Sequence, residues 1–204
     1  MEPIERLLEG HQRFRHRFPY EPSSLLRNLA EQGQSPEVAI VSCCDSRVEP
    51  SIIFDCQPGD LFTIRNVANL VPPYESEGAY HGTSAALEFA VNGLGVSHIL
   101  VLGHAQCGGV KALVKGNDED VVKSDFIHNW MSIAQDAAHK VINDNTLTTE
   151  TERCRQCEQE VVGVSLNNLM TFPWIREKVE SGNLHLHGWY FDLAVGELIR
   201  LGME

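Results

Sequence analysis

Short apolar segments alternate with longer amphipathic segments through the middle of the chain. Three of the short apolar segments are rich in β-branched residues and are followed by polar residues, which is typical of buried strands. They cover residues 37–42, 61–64 and 97–103. Helical spacing of apolar residues is found at 84–91, after residue 110, at 126–142 and at 158–169. Because strands that alternate with helices form βαβ units, the pattern predicts an α/β fold with a mainly parallel β-sheet flanked by helices.

The N-terminal part of the chain departs from this alternation. Residues 4–14 have the apolar spacing of an amphipathic helix, and a second helix, capped by Ser23 or Ser24, is predicted to follow. Both helices precede the first strand. We therefore expect residues 1–33 to form an N-terminal helical arm outside the core, where it can grip a partner subunit.

The C-terminal part predicts two further strands. Residues 184–193 and 197–201 have extended, partly alternating patterns on either side of a glycine, which indicates a short C-terminal β extension. The chain has no internal repeat and no low-complexity tract. We therefore expect residues 1–204 to form a single domain.

Composition excludes some classes of function. The 204 residues include 43% hydrophobic and 22% charged residues, and the formal net charge of -12 argues against a nucleic-acid partner. No segment reaches the ~18 apolar residues that a membrane span needs, and no basic region precedes an apolar run at the start. We expect a cytoplasmic protein, in which the six cysteines serve as ligands, reactive thiols or core residues rather than disulfides.

Residues that bind metals follow two of the predicted strands. Cys43 comes directly after the first strand, and His104 and Cys107 come directly after the third. Ligands bind beyond the carboxyl ends of strands in open α/β sheets, so these side chains converge if the strands are neighbours. Two thiolates and one imidazole suit Zn²⁺ with one open coordination position, as in catalytic sites. The alternative is that all three are ordinary turn and core residues.

Two charged residues next to Cys43 fit catalysis at such a centre. The Asp45 carboxylate can accept a hydrogen bond from a zinc-bound hydroxide, and Arg47 can hold that carboxylate ionised through a bidentate pair. Zinc with two thiolates and a neutral histidine has no net charge. Its pull on bound water is therefore weaker than that of a three-histidine site, where the water pKa falls to about 7. A surface salt bridge of little consequence is the alternative for this pair.

Two motifs resemble the signatures of the β-carbonic anhydrases. They read Cys43-x-Asp45-x-Arg47 and His104-x-x-Cys107-Gly108-Gly109. The similarity extends through residues 59–69, 82–91, 164–169 and 187–190, and so over nearly the whole chain. The resemblance is to the plant-type branch and suggests a bacterial source.

The resemblance implies a function and a set of roles. It implies that Cys43, His104 and Cys107 bind one zinc ion per subunit, and that Asp45 and Arg47 form the catalytic dyad. The implied reaction is reversible hydration of CO₂ to bicarbonate and a proton by zinc-bound hydroxide. In some relatives the aspartate ligates zinc at lower pH, and the sequence does not decide whether Asp45 does so.

The family also implies an assembly and a substrate pocket. The assembly is a homodimer or tetramer, with the N-terminal helices wrapped on the partner and the active sites near the interface. The pocket residues suggested by the resemblance are Gln34, Phe62, Val67, Phe89 and Gly108. Core packing is the alternative role for the two phenylalanines, and Phe89 stands where tyrosine is frequent.

A second branch of the family binds inhibitory bicarbonate through a tryptophan, an arginine and a tyrosine. Arg65 matches the arginine, but Ile40 and Phe191 stand where the other two align. Tyr190 is adjacent, and strand alternation should point it to the opposite face of the sheet. We therefore predict that this chain has no such allosteric site.

Other chemistry-bearing residues leave alternatives open. Cys154 and Cys157 form a C-x-x-C pair without a second ligand pair, so we expect structural thiols rather than a metal site or a redox pair. Any of several histidines could relay protons; they are His81, His98, His128, His185 and His187. The competing functions are hydrolysis of carbon disulfide or carbonyl sulfide on the same zinc site, a non-catalytic zinc module, and a thiol redox protein.

Overall fold

A mainly parallel sheet forms the centre of the molecule. The computed structural model describes residues 2–19, 21, 24–77, 80–115 and 124–202. Within these ranges, five strands pair in the order β2-β1-β3-β4-β5. Their bounds are β1 Val38–Cys43, β2 Leu61–Asn66, β3 His98–His104, β4 His185–Asp192 and β5 Glu197–Leu201. The first four are parallel and β5 is antiparallel to β4, which confirms the α/β class and the C-terminal β extension.

Helices surround this sheet. Their bounds are α1 Pro3–Arg17, α2 Leu25–Gln32, α3 Pro50–Ile53, α4 Gly82–Glu88, α5 Gly108–Lys115, α6 Ile127–Met131, α7 Gln135–Ile142, α8 Glu150–Leu169 and α9 Pro173–Glu180. A π-helical turn continues α4 through Phe89–Leu94. The predicted helix at 126–142 is interrupted by a 3₁₀ turn at Ser132–Ala134, where the Ser132 hydroxyl donates to the carbonyl of Asn129 at 2.8 Å and so competes with the helical ladder.

The structure differs from the predictions in the start of helix α8 and in the presence of helix α9. Helix α8 begins at Glu150 rather than at residue 158, because Thr149 and Glu152 form a capping box at its start. Helix α9 was not predicted; it begins with Pro173, whose fixed φ suits the first helical position.

Helix α8 lies very close to the sheet. A Cβ atom at Gly103 of β3 would be 2.6 Å from Val162 Cγ2, and one at Gly188 of β4 would be 2.8 Å from Leu166 Cδ1. These two glycines therefore let α8 approach the backbone of both strands. A smaller hydrophobic cluster packs against the opposite face of the sheet, and its buried residues are Ile40, Val48, Leu100 and Leu102.

The N-terminal helix α1 has no buried residue. Ile4, Leu7 and Leu8 are 67%, 69% and 63% exposed, although they lie on one amphipathic stripe. In the described ranges, none of the helices has the length and apolarity required to cross a bilayer.

Candidate active site

The sheet register places three potential ligands together at the carboxyl ends of the strands. Cys43 ends β1 and His104 ends the neighbouring strand β3, while Cys107 immediately precedes α5. One ligand atom from each residue lies within 4.8 Å of those of the other two. All three side chains are buried: Cys43 is 4% exposed, His104 1% and Cys107 2%. The structure thus brings together the set that the sequence predicted.

The histidine presents a free nitrogen to this cluster. His104 Nδ1 is 2.8 Å from the carbonyl oxygen of Ala105, which accepts a hydrogen bond from an Nδ1–H group. This contact leaves Nε2 as the lone-pair nitrogen. Nε2 is buried and has no hydrogen-bond partner among the described residues. A buried orphan nitrogen beside two thiols is the donor set that zinc prefers, so the residues present fit this metal.

The two thiols influence each other strongly. A hydrogen bond from Cys107 lowers the pKa of Cys43 well below that of an ordinary thiol, although burial acts in the opposite direction. The amide of Ala68 also donates to Cys43 Sγ, at 3.4 Å. The same contact with Cys43, together with burial, raises the pKa of Cys107. In the metal-free chain this contact therefore favours the thiolate form of Cys43 and the protonated form of Cys107.

The backbone is strained at two positions beside the ligands, one in the turn after β2 and one in the loop after β3. Ala68 has φ of 62° and Gln106, between His104 and Cys107, has φ of 59°. Residues other than glycine rarely adopt this region, and such strain concentrates at functional sites.

Asp45 and Arg47 form a bidentate pair beside the cluster. Arg47 Nε donates to Oδ1 of Asp45 at 2.9 Å and Nη2 donates to Oδ2 at 2.7 Å. These bonds hold the pKa of the Asp45 carboxyl well below its usual range. Arg47 Nη2 also donates to the carbonyl of Gln106 at 3.0 Å, which ties the dyad to the loop that carries Cys107. Asp45 is therefore an ionised carboxylate whose direction is fixed.

Arg65 anchors the loop that follows β1. Its guanidinium donates to the carbonyls of Cys43, Asp45 and Val48 at 3.0, 2.8 and 2.6 Å, and to the Glu49 carboxylate at 2.6 Å. Each of these acceptors belongs to the same chain, so Arg65 serves to support the first ligand and the dyad.

Tyr190 lies on the opposite face of the sheet from Ile40 and Phe191, the residues aligned with the bicarbonate-binding site of the other branch. Phe191 packs in the same cluster as Ile40, while Tyr190 is fully buried against the opposite face, where it contacts α8. The predicted alternation of Tyr190 and Phe191 is confirmed. The absence of an allosteric bicarbonate site stays a prediction.

The five predicted pocket residues divide into two groups. Val67 begins the 3₁₀ turn next to Ala68, and Gly108 follows Cys107, so both lie at the ligands. Phe62 pairs with Ala39 in the register, four residues before Cys43, which is about 13 Å along the strand.

The second group lies at this far end of the strands. The Phe62 and Phe89 rings are 5.9 Å apart between centroids, and Phe89 is 52% exposed. Gln34 is exposed in the loop before β1. The structure therefore places Gln34, Phe62 and Phe89 at the opposite end of the strands from the ligands of the same chain.

The remaining cysteines and histidines lie outside the cluster. All six cysteines are free, and burial raises the pKa of Cys157 to about 12, as expected for a core thiol on α8. His98, His185 and His187 form a stacked group on β3 and β4, with His98 at the opposite end of β3 from His104.

One residue at the site was missed by the sequence prediction. Glu158 of α8 is 4% exposed; its Oε1 accepts from the amide of Cys107 at 3.0 Å and its Oε2 accepts from the Tyr190 hydroxyl at 2.8 Å. A carboxylate within the apolar stripe of a predicted helix was the available signal, since such residues are rarely buried without a specific partner.

Comparison with known proteins agrees with this geometry. A family model described as carbonic anhydrase matches residues 38–198. The chain is 46% identical over 168 residues to beta carbonic anhydrase 5, chloroplastic, of Arabidopsis thaliana. That alignment covers 82% of this chain and 54% of the relative, so the chain spans about half the length of the plant protein.

Solved structures give the same result. The β-carbonic anhydrase CcaA superposes with a TM-score of 0.90 at 32% identity, covering 98% of this chain and 96% of that one. A structure from a report on two tetrameric β-carbonic anhydrases of Sordaria macrospora gives a TM-score of 0.82 at 30% identity, covering 98% and 94%. The family match includes all three proposed zinc ligands and the Asp45–Arg47 dyad. This chain therefore belongs to the β-carbonic anhydrases, which are zinc enzymes.

Proposed function

We propose that this chain catalyses the reversible hydration of CO₂ to bicarbonate and a proton, with one zinc ion held by Cys43, His104 and Cys107. The observation that carries the proposal is the buried Cys–His–Cys donor set beside a carboxylate that Arg47 holds ionised. Structural zinc sites use four protein ligands, whereas catalytic sites use three and keep one position open. The described residues bring three such donors together, which favours catalysis over a purely structural zinc role.

Asp45 orients the nucleophile in this proposal. Zinc bound at the three ligands would supply a Lewis acid that makes water nucleophilic. As an ionised carboxylate, Asp45 can only accept hydrogen bonds. Arg47 donates to Oδ1 through Nε and its backbone amide, and to Oδ2 through Nη2. Oδ2 therefore keeps a lone pair that can accept a hydrogen bond from the attacking oxygen. That contact turns a lone pair of the attacking oxygen towards the carbon of CO₂, which is a positioning effect.

We also propose that the chain works as a homo-oligomer, a dimer or a tetramer. Helix α1 leaves Ile4, Leu7 and Leu8 exposed, and burying such side chains is favourable by about 1.5–3 kcal/mol each. A single domain over residues 1–204, with residues 1–33 as an arm on the partner, accounts for this exposure. The report on the Sordaria macrospora structure describes its β-carbonic anhydrases as tetrameric.

The substrate pocket is proposed to be shared between subunits. Gln34, Phe62 and Phe89 lie too far from Cys43 to contact its centre within one chain, and Phe89 is half exposed. Val67 and Gly108 lie at the ligands of their own chain. Two-fold symmetry would allow the first group to complete the pocket of the neighbouring subunit.

A cytoplasmic location is proposed on chemical grounds. Thiolate ligands persist best in a reducing compartment, and all six cysteines are free. The Arabidopsis relative, by its name, is chloroplastic.

Stopped-flow CO₂ hydration from pH ~7 to ~9 tests the proposed reaction. The zinc-loaded chain should show a rate that rises towards alkaline pH, because a centre with two thiolates acidifies water weakly. Asp45→Asn should reduce kcat/KM by roughly 100-fold or more, because the amide presents a donor as well as an acceptor.

The control is Asp55→Asn, which removes a carboxylate from an exposed turn and should leave the rate unchanged. An Asp45→Asn variant as fast as the wild type would remove Asp45 from the mechanism. A zinc-loaded chain without hydration activity would instead be assayed with carbon disulfide and carbonyl sulfide, and inactivity on all three would leave a non-catalytic zinc module.

A further inference from the structure

The mechanism above makes no use of Glu158, although this carboxylate is buried next to the centre. It is 4% exposed, and burial raises its pKa. In the described part of the chain its hydrogen bonds run to a backbone amide and a hydroxyl, not to a cation. Burying a carboxylate without a cation is costly. A specific contact is therefore required to explain its place in the core.

The fold delivers Glu158 to the second ligand loop. Helix α8 lies against β3 at Gly103, whose Cβ position would be 3.3 Å from the Glu158 carbonyl and 2.6 Å from Val162. Gly103 pairs with Tyr190 across β3 and β4. The carboxylate consequently lies between the Tyr190 hydroxyl and the amide of Cys107, at 2.8 and 3.0 Å.

The amide that Glu158 binds belongs to a zinc ligand. Cys107 immediately precedes α5, where backbone N–H groups have no partner within the helix. It also follows Gln106, whose φ of 59° is unfavourable for a residue with a side chain. A hydrogen bond to this amide fixes the peptide plane before the Cys107 Cα. It therefore restrains the backbone from which the Cys107 side chain reaches Cys43 and His104.

We propose that Glu158, held in place by Tyr190, is a positioning residue that sets Cys107 for zinc. The proposal rests on the zinc site proposed above and names a supporting group for it. Partners of metal ligands typically change metal affinity by about 10–100-fold when they are removed. Tyr190 acts through Glu158: its hydroxyl donates to Oε2 and leaves Oε1 directed at the amide.

Metal affinity and a spectrum test this role without an activity assay. The zinc dissociation constant would be measured by competition with a chelator for the wild type, Glu158→Leu, Glu158→Gln and Tyr190→Phe. Each protein would also be loaded with Co²⁺, whose thiolate charge-transfer and d–d bands report the geometry of the ligands. Glu160→Gln is the matched control, because Glu160 lies on the same helix and its carboxylate binds Lys140.

A positioning role predicts a definite pattern. Glu158→Leu should raise the zinc dissociation constant about 10–100-fold and alter the Co²⁺ bands. Glu158→Gln keeps an acceptor for the amide and should stay within a few-fold of the wild type. Tyr190→Phe should weaken zinc binding several-fold, and Glu158→Leu combined with Tyr190→Phe should be no worse than Glu158→Leu alone.

Two results would overturn the proposal. If Glu158 and Tyr190 had a purely structural role, their substitution would lower the urea stability of the metal-free protein. The zinc affinity and Co²⁺ bands of every folded variant would then be unchanged. If the effects of Glu158→Leu and Tyr190→Phe on the zinc dissociation constant were fully additive, Tyr190 would not act through Glu158. Should Glu158→Leu fail to fold, Tyr190→Phe removes only a hydroxyl. Its zinc dissociation constant and Co²⁺ bands then decide whether the pair positions Cys107. A wild-type chain that binds no zinc would instead refute the proposed function itself.

Discussion

Individual backbone groups hold the ligands at the proposed zinc centre. The amide of Ala68 donates to Cys43, and the carbonyl of Ala105 accepts from His104. Arg65 supports the loop after β1 through three carbonyls. Because all residues except proline carry the same backbone N–H and C=O groups, these contacts depend on the path of the chain. The side chains that bind zinc are visible in the sequence, but the groups that orient them are not.

The unequal thiols predict that zinc binding releases protons. The pKa of Cys107 is raised, so its thiol keeps a proton through the neutral range until zinc displaces it. At least one proton should leave per zinc bound. Zinc affinity should therefore rise at least about tenfold per pH unit between pH ~6.5 and ~8.5. Chelator competition at several pH values measures the slope, and a pH indicator in weak buffer counts the protons.

Cys154→Ser provides the control for this measurement. Cys154 lies on α8 outside the ligand cluster, so its replacement should leave both the slope and the proton count unchanged. An affinity that does not vary with pH would show that both thiols are already ionised in the metal-free chain.

Helix α8 shows how far an element could be predicted from the sequence. Its C-terminal half has regular apolar spacing and was predicted at residues 158–169. Its first two turns have no apolar stripe, so periodicity could not detect them. Their start is set by the capping box, in which Thr149 Oγ1 accepts from the Glu152 amide at 3.2 Å and the Glu152 side chain accepts from the Thr149 amide at 2.9 Å.

Removing this cap should destabilise the protein measurably. Thr149→Ala loses the side-chain acceptor and should lower the free energy of unfolding by about 1 kcal/mol. Urea denaturation at fixed protein concentration measures the change, since association would also shift the midpoint. Thr149→Ser keeps the hydroxyl and should remain close to the wild type. Equal stability of the alanine and serine variants would show that the cap contributes little.

The other elements differ in how clearly the sequence predicts them. Strands β1 and β3 are buried on both faces and appear as continuous apolar runs, which made their ends and ligands predictable. Helix α3 has only four residues, too few for periodicity to detect. Glu158 escaped prediction for a different reason: its role depends on the close approach of α8 to Gly103, which only the packed structure reveals.

At the scale of the whole molecule, the chain alone does not assemble the predicted pocket. Val67 and Gly108 lie at the ligands, whereas Gln34, Phe62 and Phe89 lie at the far end of the strands. The resemblance could suggest these residue types but not which subunit's centre they serve. Because α1 also has no buried residue in the described part of the chain, both observations are explained by association with a second copy.

Hybrid oligomers distinguish a shared pocket from one built within a single chain. Asp45→Asn disables the dyad, and Gln34→Leu removes a polar group of the proposed pocket; each homo-oligomer should have reduced CO₂ hydration. Co-expression with two different affinity tags yields hybrids of the two variants. If Gln34 serves the neighbouring subunit, each hybrid pair contains one intact site and one doubly altered site.

The hydration rate of the purified hybrids should therefore recover to about half of the wild-type rate per subunit. A pocket within one chain leaves both sites damaged, because each site then carries one substitution, and the rate stays as low as the mean of the two variants. A Gln34→Leu homo-oligomer with full activity would remove Gln34 from the pocket, and the same exchange would then be made with Phe89→Ala. Recovery in the hybrids would place the substrate pocket at the subunit interface, and would explain why Phe89 lies half exposed beside Phe62 at the end of the strands opposite the zinc ligands.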